Sequence, residues 1–210
     1  MAYLILVRHG TSEYNAKGIW TGWDDPNLTE EGIREADIDG SLLRDIPLDI
    51  GYTSALKRTT ETLSEIEKIL YRKDLPVIAA HELNERNYGD YTGKNKWEIE
   101  KKIGEKEFLK LRRGWDYPVP NGESLKQVYE REIPYFESEI LPKLKEGGNV
   151  IIVSSGNALR ALVKYLENIP NDEIGSLEIG LGEIYVYQIS PDGKMQSKEI
   201  RSKNPLVGKI

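Results

Sequence analysis

An apolar run, Tyr3–Val7, ends in Arg8-His9-Gly10, and the chain turns polar through Thr11, Ser12 and Glu13. An imidazole just past a strand can act as a nucleophile toward phosphorus, and an adjacent guanidinium can hold phosphate oxygens by paired hydrogen bonds. Gly10 is expected to let the backbone approach such an anion closely. A second guanidinium, Arg58, opens a helical pattern just after the strand-like run Ile50–Thr53, which places it beside the same sheet edge as Arg8. Two guanidiniums there would offset the charge of a transferring phosphoryl group. Arg112 and Arg113 adjoin in a polar stretch with Lys96 upstream. Their spacing alone reads as a solvated helix end.

Composition narrows the chemistry. The 210 residues include no cysteine and two histidines, His9 and His81. That excludes disulfides, thiolate metal sites and a cysteine nucleophile, and argues against a multi-histidine zinc centre. His81 has no motif around it and reads as structural or surface. A formal net charge of −6 argues against a nucleic-acid partner, so any anion site must be a local basic cluster. The longest purely apolar stretches are about five residues, far short of the roughly 20 of a membrane helix. The N-terminus enters a strand-like run at once, leaving no room for a signal peptide, so a soluble cytoplasmic protein is expected.

Strand-like runs at Tyr3–Val7, Ile50–Thr53, Pro76–Ala79, Asn149–Ser154 and Glu183–Ile189, with an edge strand near Met195–Ile200, alternate with helical patterns. Leu56, Leu63, Ile66 and Leu70 follow a helical period, with Ser54 placed as its cap. Leu159, Leu162, Val163 and Leu166 mark a second helix. A third runs from Leu125 to Leu144 and should kink at Pro134, and Thr29–Arg44 makes a weaker one carrying Gly32 and Gly40. The alternation predicts an α/β fold, a three-layer α/β/α sandwich around a mainly parallel sheet with one antiparallel edge strand. One domain is expected over 1–210. A polar excursion at about 81–122 would pass over the site, with one helical stretch near Trp97–Leu111, and the tail 201–210 would be mobile. The four tryptophans read as packing.

The stretch Leu6–Asn15, Leu-Val-Arg-His-Gly-Thr-Ser-Glu-Tyr-Asn, resembles the signature of the histidine phosphatase superfamily. The likeness continues through Trp20–Trp23, Leu28–Gly32, Thr53–Thr59, Leu83–Gly89, Gly93–Lys96, Arg112-Arg113, Gly122–Leu125 and Gly156–Arg160. The Asn84-Glu85-Arg86-Asn87-Tyr88-Gly89, Gly93–Lys96 and paired-arginine motifs make the chain similar to the 2,3-bisphosphoglycerate-dependent phosphoglycerate mutases of that superfamily. The resemblance implies a phosphohistidine at His9, with Glu85 as the general acid/base that takes and returns a proton. Arg8 and Arg58 would clamp the phosphoryl group. Lys96, Arg112 and Arg113 would hold the carboxylate and second phosphate of a small phosphorylated substrate. It also implies that Gly10, Thr11, Ser12, Glu13, Tyr14, Asn15, Thr21, Gly22, Arg86, Asn87, Tyr88, Gly156 and Asn157 contribute to binding, and that 2,3-bisphosphoglycerate primes the enzyme without a metal. A homo-oligomer, dimer or tetramer, is implied as well.

Two departures stand out. The family pattern His-Gly-Asn is here Ser155-Gly156-Asn157, so a shorter, uncharged donor occupies the place of the second active-site histidine. Loss of one preorganised donor costs roughly 10²–10³ in rate, so impaired turnover is expected. A natural divergence and a substitution introduced at 155 both fit, the intact surrounding motifs weighing toward the second. The stretch between Pro120 and Ser124 is also shorter than in longer mutases, which implies a more open site. The expected reaction is interconversion of 3-phosphoglycerate and 2-phosphoglycerate. The alternatives are a histidine-dependent phosphatase of small metabolites and a catalytically weak phospho-ligand-binding protein.

Overall fold

The computed structural model describes residues 1–202. Six strands form one sheet: β1 (Ala2–Arg8), β2 (Ile50–Ser54), β3 (Val77–Ala80), β4 (Val150–Ser154), β5 (Glu183–Ile189) and β6 (Met195–Ser202), in the order β3-β2-β4-β1-β5-β6. β1, β4, β2 and β3 pair in parallel. β5 is antiparallel to both of its neighbours, β1 and β6. The expected antiparallel edge is therefore a hairpin of two strands.

Alternation of side chains divides the central strands between two cores. Leu4, Leu6, Val150 and Ile152 face one layer, packing with Ile133, Phe136, Leu159 and Leu162. Those residues come from α6 (Leu125–Tyr135), a following π-helical segment and α8 (Gly156–Glu167). Ile5, Val7, Ile151 and Val153 face the other, packing with Leu43, Leu63 and Ile66 around α2 (Glu30–Leu42) and α3 (Lys57–Ile69). A sheet covered on both faces reads as continuous apolar runs, which is why β1 and β4 were so visible. The three layers follow from this split.

The helix starts are chemically marked. Thr29 caps α2 by accepting from Gly32 N at 3.1 Å, and Ser124 caps α6 in a reciprocal box with Gln127. Ser54 is not the cap expected for α3: it ends β2, and its hydroxyl accepts from Leu56 N and pairs with Thr59 Oγ1 at 2.7 Å. Pro134 lies in the last turn of α6, and the chain widens into a π turn over Phe136–Ile140 before α7 (Leu141–Lys145). Pro142, near the start of α7, offers no N–H to the Ser138 carbonyl four residues back, so the irregularity falls inside the π turn rather than at Pro134.

The excursion contains two helices rather than one. α4 (Lys96–Ile103) and α5 (Glu105–Arg113) are separated by Gly104 at φ +82°, a conformation that stops an α-helix and suits glycine. They build a small core of Trp20, Tyr88, Ile99, Phe108, Leu111 and Val119. The expectation of a mobile tail fails at its first residue. Arg201 is inside β6 and half-buried, and its guanidinium bonds the Leu42 carbonyl and the Asp45 carboxylate. Residues 203–210, which carry the rest of that expectation, lie outside the described residues. No helix among the described residues is long and apolar enough to cross a membrane.

Candidate active site

The carboxyl ends of parallel strands are where open α/β sheets hold ligands. β1 ends at Arg8 opposite Ser154 of β4, and His9 N donates to the Ser154 carbonyl at 3.0 Å. Arg8, His9, Ser155 and Gly156 thus leave the sheet side by side. Past them lies a cleft of about 110 Å³ whose walls include Arg8, His9, Arg58 and Glu85. α4 and α5 supply Lys96, Arg112 and Arg113, and α8 supplies Gly156, Asn157 and Arg160. Six basic side chains against the two carboxylates Glu85 and Glu178 leave it strongly cationic inside an acidic chain.

His9 is buried, and its Nδ1 is 2.7 Å from the Gly10 carbonyl. A carbonyl only accepts, so Nδ1 carries the proton and Nε2 keeps a free lone pair. Burial, then the nearby guanidiniums of Arg58 and Arg8, hold its pKa well below the usual histidine value. The imidazole is neutral at pH 7, the state a nucleophile needs.

Arg58 sits in the first turn of α3 and is 1% exposed. Its Nη1 donates to the Asp24 carbonyl and its Nη2 to the Gly22 carbonyl, each at 2.9 Å. It therefore pins the loop that brings Thr21 to the cleft while its own guanidinium stays at the wall. Glu85 is held from several directions. Its Oε1 accepts from Arg86 N at 2.7 Å and from Asn157 N at 3.3 Å. Its carbonyl accepts from Trp23 Nε1 at 2.8 Å and from Arg131 Nη2 at 3.1 Å. Tyr88 OH accepts from Asn157 Nδ2 at 2.8 Å, and its ring lies 4.3 Å from that of Trp20. Lys96 stands 5.5 Å over the Trp20 ring. Burial, then Arg112 and Arg8, push its pKa down to about 8.

Of the expected binding residues, Asn15, Thr21, Tyr88, Lys96, Arg112, Arg113, Gly156 and Asn157 line the cleft. The others do not. Gly10 N is engaged by Thr62 Oγ1, and a Cβ on Gly10 would sit 2.2 Å from the Gly32 carbonyl, so that glycine serves backbone packing against α2. Thr11 gives N–H and hydroxyl to Glu35 at 2.6 and 3.0 Å. Ser12 caps α1 (Glu13–Ala16), which carries the exposed Glu13 and the half-buried Tyr14. Gly22 adopts φ +51° against Thr92 and Tyr88. Arg86 is wholly buried and donates to the Leu111 carbonyl, and Asn87 forms a turn by accepting from Gly89 N at 2.8 Å. Ser155 is fully buried, its Oγ has no partner, and it is not among the lining residues.

Arg160, Glu178, Ile179 and Trp20 also line the cleft. Arg160 and Trp20 lie in motif stretches that were legible, and Glu178 and Ile179 carry no sequence signal. Arg8 Nη1 donates to the Ile179 carbonyl at 2.8 Å, and Arg113 pairs with Glu178 at 2.8 Å. His81 is exposed in a 3₁₀ turn, outside the site. Trp20 is buried and Trp115 packs on Tyr129, whereas Trp23 and Trp97 are nearly half-exposed. Among the described residues, no three His, Cys, Asp or Glu side chains gather as a metal site.

A neutral imidazole under converging guanidiniums defines an anion-handling enzyme site. The family model described as the histidine phosphatase superfamily (branch 1) matches residues 4–200, and the chain belongs to that superfamily. It is 43% identical over 199 residues to the 2,3-bisphosphoglycerate-dependent phosphoglycerate mutase of Parvibaculum lavamentivorans, covering 94% of this chain and 95% of that protein. It is equally similar, at 43% over 199 residues and 94% of each chain, to the phosphoglycerate mutase of Schizosaccharomyces pombe. Among solved structures, the phosphoglycerate mutase of Bacillus anthracis superposes with a TM-score of 0.72 at 24% identity, covering 96% of this chain and 92% of that one. The alpha-ribazole phosphatase of Shigella flexneri does so with 0.78 at 24%, covering 98% of each. Those two share the fold.

Proposed function

We propose that this chain interconverts 3-phosphoglycerate and 2-phosphoglycerate in the cytoplasm through a phosphohistidine at His9, primed by 2,3-bisphosphoglycerate. The observation that carries the reading is the neutral His9, its Nδ1 turned to the Gly10 carbonyl, in a cleft walled by Arg8, Arg58, Lys96, Arg112 and Arg113. Identity of 43% to named mutases over 94% of the chain supports the substrate.

The chemistry balances with one base. In phosphorylated enzyme, the Glu85 carboxylate takes the proton of the substrate's 2-hydroxyl, that oxygen attacks phosphorus, and the bond from phosphorus to His9 breaks. The product, 2,3-bisphosphoglycerate, turns over in the cleft. Neutral His9 then attacks the 3-phosphoryl group, and the departing oxygen recovers the proton from Glu85. Arg8 and Arg58 neutralise the transferring phosphoryl group, while Lys96, Arg112 and Arg113 hold the remaining anionic groups. Asn15, Thr21, Tyr88 and Asn157 supply neutral partners, and no step calls for a metal.

The test supplies the chain with 3-phosphoglycerate and catalytic 2,3-bisphosphoglycerate and follows phosphorus NMR. Appearance of 2-phosphoglycerate, with a phosphohistidine adduct by intact mass that is lost in His9→Ala, is the expected result. Orthophosphate release without isomerisation would make the chain a phosphatase, and an adduct persisting in His9→Ala would remove His9 as nucleophile.

A further inference from the structure

The last carbonyls of an α-helix lie beyond its final i→i−4 bond, which in α5 closes on Lys110 and leaves those of Leu111, Arg112 and Arg113 to find other partners. Each is answered. Gly114 N donates to the Lys110 carbonyl at 2.8 Å, and Arg86 Nη2 to the Leu111 carbonyl at 2.9 Å. Arg160 takes the last two, with Nη1 3.5 Å from the Arg112 carbonyl and Nη2 3.1 Å from that of Arg113. Both capping guanidiniums are buried, Arg86 completely and Arg160 to within 4%. An exposed helix end would use water for this. Two buried cations at the negative end of a helix dipole are favourably placed but costly to desolvate, so the geometry they enforce has to matter.

The same Arg160 guanidinium reaches two further segments. Nη1 donates to Asn157 Oδ1 at 2.9 Å, and Nη2 donates to the Ile174 carbonyl at 2.8 Å. It thus joins the first turn of α8, beside Ser155-Gly156, to the end of α5 and to the turn that precedes Glu178. The ion pair between Arg113 and Glu178 spans the last two of these. With two bonds from each Nη, every terminal hydrogen of Arg160 is committed. It lines the cleft but has no terminal N–H to offer a ligand.

We propose that Arg160, assisted by Arg86, is a positioning residue that fixes the last turn of α5 so that Arg112 and Arg113 face the cleft that holds His9. Sequence motifs assign Arg86 to substrate binding, and its burial against α5 replaces that role. The inference deepens the mutase reading at its carboxylate end and rests on it for the choice of ligand. Lysine at 160 keeps the charge but lacks the fork that bonds four acceptors at once.

The test compares the wild-type chain with Arg160→Lys and Arg160→Met, using 2,3-bisphosphoglycerate and orthovanadate as probes. Loss of charge-assisted positioning should weaken bisphosphoglycerate binding and raise the KM for 3-phosphoglycerate by about tenfold to hundredfold. Orthovanadate, which stands in only for the phosphoryl group clamped by His9, Arg8 and Arg58, should change by less than about threefold. Amide hydrogen exchange over residues 105–114 should quicken in both variants. Equal weakening of both probes would mark a general structural loss, and no change in either would leave Arg160 without this role; both results overturn the proposal. A wild-type chain that binds orthovanadate but neither phosphoglycerate overturns the mutase reading alone. Positioning is then decided by exchange over 105–114, and unchanged exchange in Arg160→Lys overturns it.

Discussion

A hydroxyl buried without a partner destabilises a fold, and Ser155 carries one at the N-terminus of α8, next to Arg8. A Cβ added at Gly156 would lie 3.8 Å from Arg8 Nε, ordinary van der Waals contact, so the start of α8 runs alongside the Arg8 guanidinium. Ser155 is fully buried and does not line the cleft, whereas the longer imidazole that the family pattern has there can carry a donor further. Ser155→Ala removes an unsatisfied group, and stability should rise by about 1 kcal/mol, read as a higher urea midpoint. Ser155→His adds a donor to the phosphoryl oxygens, and mutase turnover should rise roughly 10²–10³-fold. An unchanged rate would mean that the guanidiniums already supply all the stabilisation the transition state needs. His9, Arg8 and Arg58 were legible because their motifs follow strand ends, where topology brings them together, and Glu85 was legible through the family resemblance. Glu178 was not legible, because it reaches the cleft only through the fold of the segment before β5. Arg86 misled for a related reason: neighbours in sequence point opposite ways, Glu85 into the cleft and Arg86 toward the end of α5.

The loop that presents His9 is held from behind by α2. Gly32 and the 10–11 backbone touch so closely that a Cβ on Gly32 would lie 2.3 Å from the Thr11 carbonyl. Thr29 Oγ1 donates to that same carbonyl at 3.0 Å, and Glu35, one turn into the helix, takes the Thr11 N–H and hydroxyl. The first turn of α2 is therefore a mould for the nucleophile loop. Gly32→Ala should cost about 1–3 kcal/mol in urea denaturation, despite alanine's better helix propensity, because the backbone must move apart. It should also lower kcat by displacing His9, whereas a gain in stability would show that the contact can relax. In sequence, Gly32 only weakened the case for a helix, since a backbone contact with residues some 20 positions away has no local signature. Element types were otherwise readable from periodicity, and β5 matched residue for residue at Glu183–Ile189. Boundaries failed for two reasons: the local turn at Gly104 divides one periodic stretch into α4 and α5, and tertiary bonds to Asp45 and Leu42 hold Arg201 in β6.

Four titratable groups, Asp39, Glu132, His9 and Lys96, set how the whole molecule responds to pH. Burial, then the charge of Glu35, raises the Asp39 carboxyl to about 8. Burial raises Glu132 well above the usual carboxylate range, and neither of its oxygens has a hydrogen-bond partner. Both acids hold protons in the folded chain that the unfolded chain releases above about pH 4. Stability therefore falls as pH rises from there, by about 1.4 kcal/mol per pH unit for each proton, until Asp39 itself titrates. His9 acts in the opposite sense, because the folded state refuses a proton that the unfolded state binds below about 6.5. Above that pH its contribution is constant. Lys96, lowered to about 8, contributes a rising stability only beyond that value. Between about pH 6.5 and 8 Asp39 still holds its proton while His9 and Lys96 add no slope, and the melting temperature should drop across this window. Asp39→Asn with Glu132→Gln should abolish the drop while the acid-side decline from His9 remains. A melting temperature that is flat or rises between these pH values in the wild-type chain would show that the two carboxyls are ionised in the fold.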